Sequence, residues 1–225
     1  MERHFDEELS ELKKEILTMS ALAQEAIRSS VEALKELSVP KAQAVVADDQ
    51  KIDELELKIE ETCMDFLALR QPMATDLRFI VMAMKITNEL ERMADLAVDI
   101  AQRALQIAGQ PLLKPLVDIP ELASLSQKMI SEVIASFIDK NSEQAARVIQ
   151  MDQRADELRN RVQKELVDDF MAKDPGTASR AVPLLLAARH LERICDHATN
   201  IAEDVIYLCS ATVVKHHPEK LEDKS

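Results

Sequence analysis

The sequence predicts an all-α protein, two tandem pseudo-symmetric three-helix bundles built from six long helices. Three observations carry that expectation. Glycine occurs twice and proline eight times in 225 residues, too few breaks for an all-β or α/β chain and too few glycines for a phosphate-cradling loop. Apolar residues make up 47% of the chain, with five Phe, one Tyr and no Trp, more aliphatic content than a disordered chain carries. Those residues recur in alternating four- and three-residue steps rather than at every second position, the period of a buried helix face.

The elements follow in order. Phe5, Leu9, Leu12, Ile16, Met19, Ala23, Ala26, Ser30, Ala33 and Leu37 form one long seam, so the first helix is long. Ser38 and Pro40 break it, since proline suits the first turn of the next helix. The second helix is expected over about 41–69, with Val45, Ile52, Leu55, Ile59, Thr62, Phe66 and Leu69 on its seam. Arg70-Gln71-Pro72 is the corner. The third helix carries a stripe of mostly small residues, Ala83, Thr87, Leu90, Ala94, Ala97, Ala101, Ala104 and Ala108. Gly109 is expected to end it in a left-handed conformation. A linker over 110–120 holds Pro111, Pro115 and Pro120. Leu122, Leu125, Met129, Val133 and Phe137 then mark a shorter fourth helix, and Asn141-Ser142 restarts the chain as a fifth, running to about Ala172. Asp174-Pro175-Gly176 is the next corner, with Asp174 a capping residue. The sixth helix carries Leu184, Ala188, Leu191, Cys195, Ala198, Ala202, Val205 and Cys209, and Pro183 is expected to kink it near its start.

The stripes of helices three and six match step for step at an offset of 101. DQKIDEL from Asp49 faces DQRADEL from Asp152, and LERMAD from Leu90 faces LERICD from Leu191. Two strings repeated in the same order mark an internal duplication. The expected division is therefore a first bundle over 1–109, the linker over 110–120, a second bundle over 121–210 and a polar tail over 211–225.

Charge narrows the partners. With 28 Lys and Arg against 41 Asp and Glu, the formal net charge is −13, which opposes nucleic acid and an anionic membrane surface alike. The longest apolar run, 181–188, falls far short of the roughly 20 residues that span a bilayer. The first residues are acidic where a secretion signal needs an apolar core. Cys63, Cys195 and Cys209 are an odd number without a C-x-x-C pair, as expected of free thiols in a reducing cytoplasm.

The residues with chemical potential are carboxylates. The first half places Asp49 and Asp53 on its second helix and Glu91, Asp95 and Asp99 on its third. The second half places Asp152 and Asp156, then Glu192 and Asp196, with Asn200 where the first half has Asp99. Side chains four apart stack on one helix face, about 6 Å from each other. Chance alone gives roughly seven acidic pairs at this spacing in such an acidic chain, and most such pairs mark a solvated face. These pairs differ because they recur in both halves and lie one residue past the small-residue stripe, at the edge of the buried face. Such a patch suits a hard cation, and oxygen-only ligation favours Mg²⁺, Mn²⁺ or iron over zinc. His197, beside Asp196, is a candidate nitrogen ligand, against the plainer role of a partly exposed helix histidine. Arg78 is a candidate partner for acids of the second helix, and Arg92 and Arg193 are expected to balance the carboxylates.

Catalysis has less support. None of the five histidines follows a Glu by three residues, so the Glu-x-x-His ligation of a ferritin-like di-iron centre is missing. Cys195 lies on an apolar stripe, where a thiol is inert. The protein is expected not to be an enzyme.

RQPMATDLRFIVMAMKITNELERMADLAVDIA (70–101), AARHLERICDHATNIAEDVIYL (187–208), the acidic DDQKIDELE (48–56) and the VKH of 214–216 together resemble the PhoU family of phosphate-signalling regulators over essentially the whole chain. A glycine common before that VKH is missing here, the residues being Ser210-Ala211-Thr212. The resemblance implies a cytoplasmic adaptor, peripheral to the inner membrane through its partners. It implies association with the ATPase of the phosphate ABC transporter and with a phosphate-sensing histidine kinase, and negative regulation of phosphate uptake and of the starvation response. It further implies dimers or higher oligomers, and metal ligation by Asp49, Asp53, Glu91, Asp95, Asp152, Asp156, Glu192 and Asp196. A second reading is an accessory to an ion-coupled phosphate transporter; a third, least supported, is a carboxylate-metal enzyme.

Overall fold

The first apolar seam becomes helix α1, Glu2–Glu36; Leu12, Ile16, Met19 and Ala23 on that seam are fully buried, and Ile27 takes the buried place expected of Ala26, which is only partly buried. The computed structural model describes residues 2–70 and 72–210; the tail expected over 211–225, with its VKH, lies outside the described residues. Leu37 ends α1 in the left-handed region at φ 54°, and the Ser38 N–H returns to the Ala33 carbonyl at 2.9 Å. Ser38 then opens α2, Val39–Asp48, its hydroxyl facing the Lys41 N–H and Pro40 sitting in the first turn.

The second predicted helix is interrupted. α2 gives way at Asp49 to α3, Gln50–Leu69. Asp49 keeps helical angles (φ −57°, ψ −39°) and its carbonyl accepts from both Ile52 and Asp53, so the rod is broken without being capped. α4, Ala74–Ile107, follows, and Gly109 after it takes φ 84° as expected.

The region expected as a linker is a packed connector. Leu116 is buried, Leu112 and Leu113 lie against the core, Lys114 pairs with Glu165, and Arg180 donates to the Pro111 carbonyl at 3.3 Å. α5, Asp118–Asp139, begins earlier than predicted, with Pro120 inside its first turn. A first-turn residue has no intrahelical partner for its N–H, so proline costs nothing there. Lys140 ends α5 at φ 54°, and Asn141 caps α6, Ser142–Lys164, accepting from the Gln144 N–H at 3.1 Å.

Beyond Lys164 the fifth rod widens into a π-helical turn, Glu165–Met171, which the periodicity did not predict. Packing against the core accounts for it. Leu158, Val162 and Leu166 are buried and Phe170 packs against the core, a row of unbroken four-residue steps. On an α-helix each such step drifts about 40° around the axis; a wider turn reverses the drift and keeps Phe170 facing inward. Asp174 caps the next corner, accepting from the Gly176 N–H at 2.9 Å. The last helix, α7, Ala178–Ser210, continues through Pro183.

α1, α2/α3 and α4 pack together, as do α5, α6 and α7. The two groups join along α4 against α7 and along α1 against α5. One hydrophobic cluster runs through both. Phe79 of α4 and Phe137 of α5 stack across the junction, ring centroids 4.6 Å apart. Small residues at Ala94, Ala97, Ala101, Ala188, Ala198 and Ala202 are fully or almost fully buried, letting the long helices approach closely. Hydroxyls buried among them donate to their own helix, Thr87 to the Ala83 carbonyl at 2.8 Å and Ser136 to Val133 at 2.7 Å, which removes the cost of an unpaired polar group.

Candidate functional site

The first set of acids lies where the end of α2 and the first turns of α3 pass the middle of α4. Leu90 and Ala94 of α4 are fully buried, so Glu91, Asp95 and Asp99 fall along the edge of its buried face, one turn apart. Asp49, at the helix interruption, is half-buried, and Asp53 is exposed one turn later. The acids of the two helices feel one another. Burial, then Asp53 and Asp95, pushes the Asp49 carboxyl up to about 6. Burial, then Asp95, Glu56 and Asp53, pushes Glu91 up to about 7. Asp95 is raised by burial and by Asp53 and Asp99.

Glu56 belongs to this patch and was missing from the sequence-derived set. Its carboxyl is raised by burial and by Glu60, Asp53 and Asp95, against a hydrogen bond from Asn88. The signal was present: Glu56 follows Asp49 by seven residues and Asp53 by three, so all three share one helix face.

The second set is built from the same positions but is neutralised differently. Burial, then Asp196, Asp156 and Glu192, pushes Asp152 up to about 6. Asp196 is raised by burial, Glu192 and Asp156, with His197 and Arg193 acting the other way. Arg159 reaches into this group, its Nη2 3.1 Å from Glu192 Oε1 and 3.6 Å from Asp156 Oδ1. At the offset of 103 that aligns the two DQ strings, Arg159 stands where the first half has Glu56, and Gln163 where it has Glu60. The second cluster carries its own cation; the first lacks one at that position.

Four further residues face elsewhere than the sequence suggested. His197 Nδ1 lies 2.5 Å from Glu89 Oε2 on α4, so it joins the two bundles rather than the Asp152 cluster. Asn200 Nδ2 contacts the same Glu89 oxygen at 3.4 Å. Burial pushes Glu89 up, but the His197 and Asn200 contacts and Arg92 outweigh it, and the carboxyl sits below its usual value. Asp99 points across the junction toward His190, Nδ1 to Oδ2 3.8 Å. Arg78 makes no ion pair with α3 among the described residues, and its Nε is buried without a hydrogen-bond partner. Arg92 and Arg193 lower the neighbouring carboxyls Glu91, Asp95 and Asp196 without bonding them. Burial raises the Cys195 thiol, as expected of an inert core cysteine.

Eight of the nine sequence-derived acids thus fall into two patches, Asp49, Asp53, Glu91 and Asp95 in one and Asp152, Asp156, Glu192 and Asp196 in the other, while Asp99 borders the first patch beside Asp95 and turns toward His190. Among the described residues, no three His, Cys, Asp or Glu side chains already converge as a coordination sphere. Each patch gathers half-buried and exposed carboxylates side by side.

Comparison with known proteins follows the internal repeat. A family model described as the PhoU domain matches the chain twice, over residues 16–104 and 119–205. The phosphate-specific transport system accessory protein PhoU homolog of Aquifex aeolicus is 42% identical over 209 residues, 93% of this chain and 94% of that protein. The corresponding homolog of Pseudomonas aeruginosa is 36% identical, covering 95% of this chain and 88% of its own. The crystal structure of PhoU from Pseudomonas aeruginosa superposes with a TM-score of 0.86 at 36% identity, over 92% of this chain and 100% of that one. The phosphate transport system regulatory protein PhoU from Streptococcus pneumoniae gives 0.86 at 29% identity, over 93% and 99%. With both halves matched and relatives aligned along nearly the whole length, the chain belongs to the PhoU family.

Proposed function

We propose that this protein is a non-catalytic accessory of a phosphate-specific transport system and a negative regulator of phosphate uptake and of the phosphate-starvation response. It acts in the cytoplasm, at the inner membrane through its partners, the transporter ATPase and a phosphate-sensing histidine kinase, and as a dimer. The observation that carries this reading is the name borne by its full-length relatives, phosphate-specific transport system accessory proteins. Long helices with polar outer faces suit an adaptor, and no described helix is long and apolar enough to cross a membrane. Deleting the gene is expected to raise alkaline phosphatase in phosphate-rich medium; unchanged reporter output refutes the regulatory role.

The acidic patches extend the reading. Oxygen-only donors on facing helices suit Mg²⁺, Mn²⁺ or iron, and the raised Asp49 and Glu91 carboxyls mark charge that a cation relieves. Asp49, Asp53, Glu91, Asp95 and Asp99 would hold it in the first half, with Glu56 beside them. Asp152, Asp156, Glu192 and Asp196 are the second set, weaker because the Arg159 cation already contacts two of its carboxylates. A cation here supplies neutralisation of the helix surface. Metal analysis of the purified chain beside Asp95→Ala and Asp196→Ala variants tests the ligands; full metal content in both variants overturns the assignment.

A further inference from the structure

The duplicated halves do not present the same groove. Between α6 with its π-helical turn and α7 lies an open groove of about 530 Å³. Arg159, Arg189 and Arg193 line it together with Glu192 and Asp196, so arginines outnumber carboxylates three to two. The matching positions of the first half hold Glu56, Lys85, Asn88, Glu91, Arg92 and Asp95, and Glu60 replaces the groove's Gln163. Carboxylates there outnumber cations four to two. Within one duplicated fold and a chain of net charge −13, only the second of these two grooves has a lining in which cations outnumber carboxylates.

The arginines differ in what they have left to give. Arg159 is committed to Glu192 and Asp156, and that contact offsets part of the charge Glu192 presents to the groove. Arg189 and Arg193 are one turn apart on the same face of α7 and make no ion pair or hydrogen bond with any described residue. Two free guanidinium forks side by side match the paired oxygens of a phosphate group. Beside them Leu185, Leu186 and Val167 form an apolar shelf, and the groove is far larger than a bare oxyanion needs.

We propose that this groove binds a phosphate-type oxyanion, with Arg189 and Arg193 as its ligands and Arg159 offsetting part of the Glu192 charge behind them. The oxyanion reaches the site either as free inorganic phosphate or as the phosphoryl group of an organic carrier, and the apolar shelf favours the carrier. The inference does not depend on the transport-accessory reading, because its assay uses the purified chain alone.

The test is calorimetric titration of the full chain at low salt with two probes, inorganic phosphate and phenyl phosphate. Both are expected to bind saturably, phenyl phosphate several-fold more tightly. Arg189→Gln with Arg193→Gln weakens both probes at least about tenfold, the loss of one charge-assisted contact or more. Arg28→Gln on α1, outside the groove, leaves both unchanged. Leu186→Ser removes the preference for phenyl phosphate and keeps phosphate binding. Unchanged melting temperatures establish that the variants fold. Absence of saturation by either probe up to roughly 20 mM, or equal binding by the double variant and the parent, overturns the proposal. An acidic peptide that binds this groove without competition from phosphate overturns it as well.

Discussion

Replacing Glu91 by Gln is expected to stabilise the metal-free protein at neutral and alkaline pH, although it removes a charged group from a helix surface. Glu91 is half-buried on α4 and faces Asp95, Glu56 and Asp53, which together with burial raise its carboxyl from 4.5 to about 7. Between those two values the native protein holds a proton that the unfolded chain has released. Stability from this group therefore falls as pH rises through the window from 4.5 to 7 and is constant above it. The full shift corresponds to about 3 kcal/mol at 1.36 kcal/mol per unit; solvent screening of a partly exposed carboxyl reduces it to about 1 kcal/mol. Glu91→Gln, which keeps the shape and removes the charge, should gain that amount at pH 8, raising the melting temperature by about 2–4 °C. At pH 4 parent and variant should coincide. The assay is urea or thermal unfolding in the presence of a chelator from pH 4 to 8, repeated with Mg²⁺ or Mn²⁺, which should stabilise the parent more than the variant. A variant that is less stable at pH 8, or whose pH slope equals the parent's, refutes the picture of an uncompensated acidic patch.

The second patch should respond in the opposite sense. Arg159→Glu, which installs the residue of the first half, leaves Glu192 and Asp156 without their cation and should cost about 2 kcal/mol in urea unfolding at pH 7. His197→Ala removes the contact that helps hold Glu89 below its usual value. Its cost of about 1 kcal/mol should be present above pH 4.5 and should vanish as Glu89 protonates in acid, read from melting temperatures across pH. Phe137→Ala empties a fully buried ring position stacked on Phe79 at the junction of the two groups and should cost about 3–5 kcal/mol by calorimetry.

The acidic rows were legible because helix geometry is local. Once residues 49–56 and 90–101 are helical, acids spaced by three, four or seven must share a face, whatever lies opposite. Which charges meet across helices is not local. Glu56 and Arg159 occupy one repeat position with opposite charge, and only the packing of α3 on α4 and of α6 on α7 makes one reinforce its cluster and the other neutralise it. His197 looked like a neighbour of Asp196 by sequence. A step of one residue turns a side chain about 100° around a helix, and that rotation delivers His197 to Glu89 of the other bundle. The π-helical turn escaped for a related reason, since the four-residue row ending at Phe170 needs the core to define inward.

The sequence by itself determined that the chain is helical, duplicated, acidic and sparing of breaks, because periodicity, capping residues and repeated strings are properties of neighbours along the chain. Only the tertiary structure decided that the duplicated halves are electrostatically unequal, one acidic patch without an arginine at the Glu56 position and one crossed by Arg159 beside an arginine-lined groove. Charge interactions depend on distance and burial, and both are set where helices far apart in sequence come together.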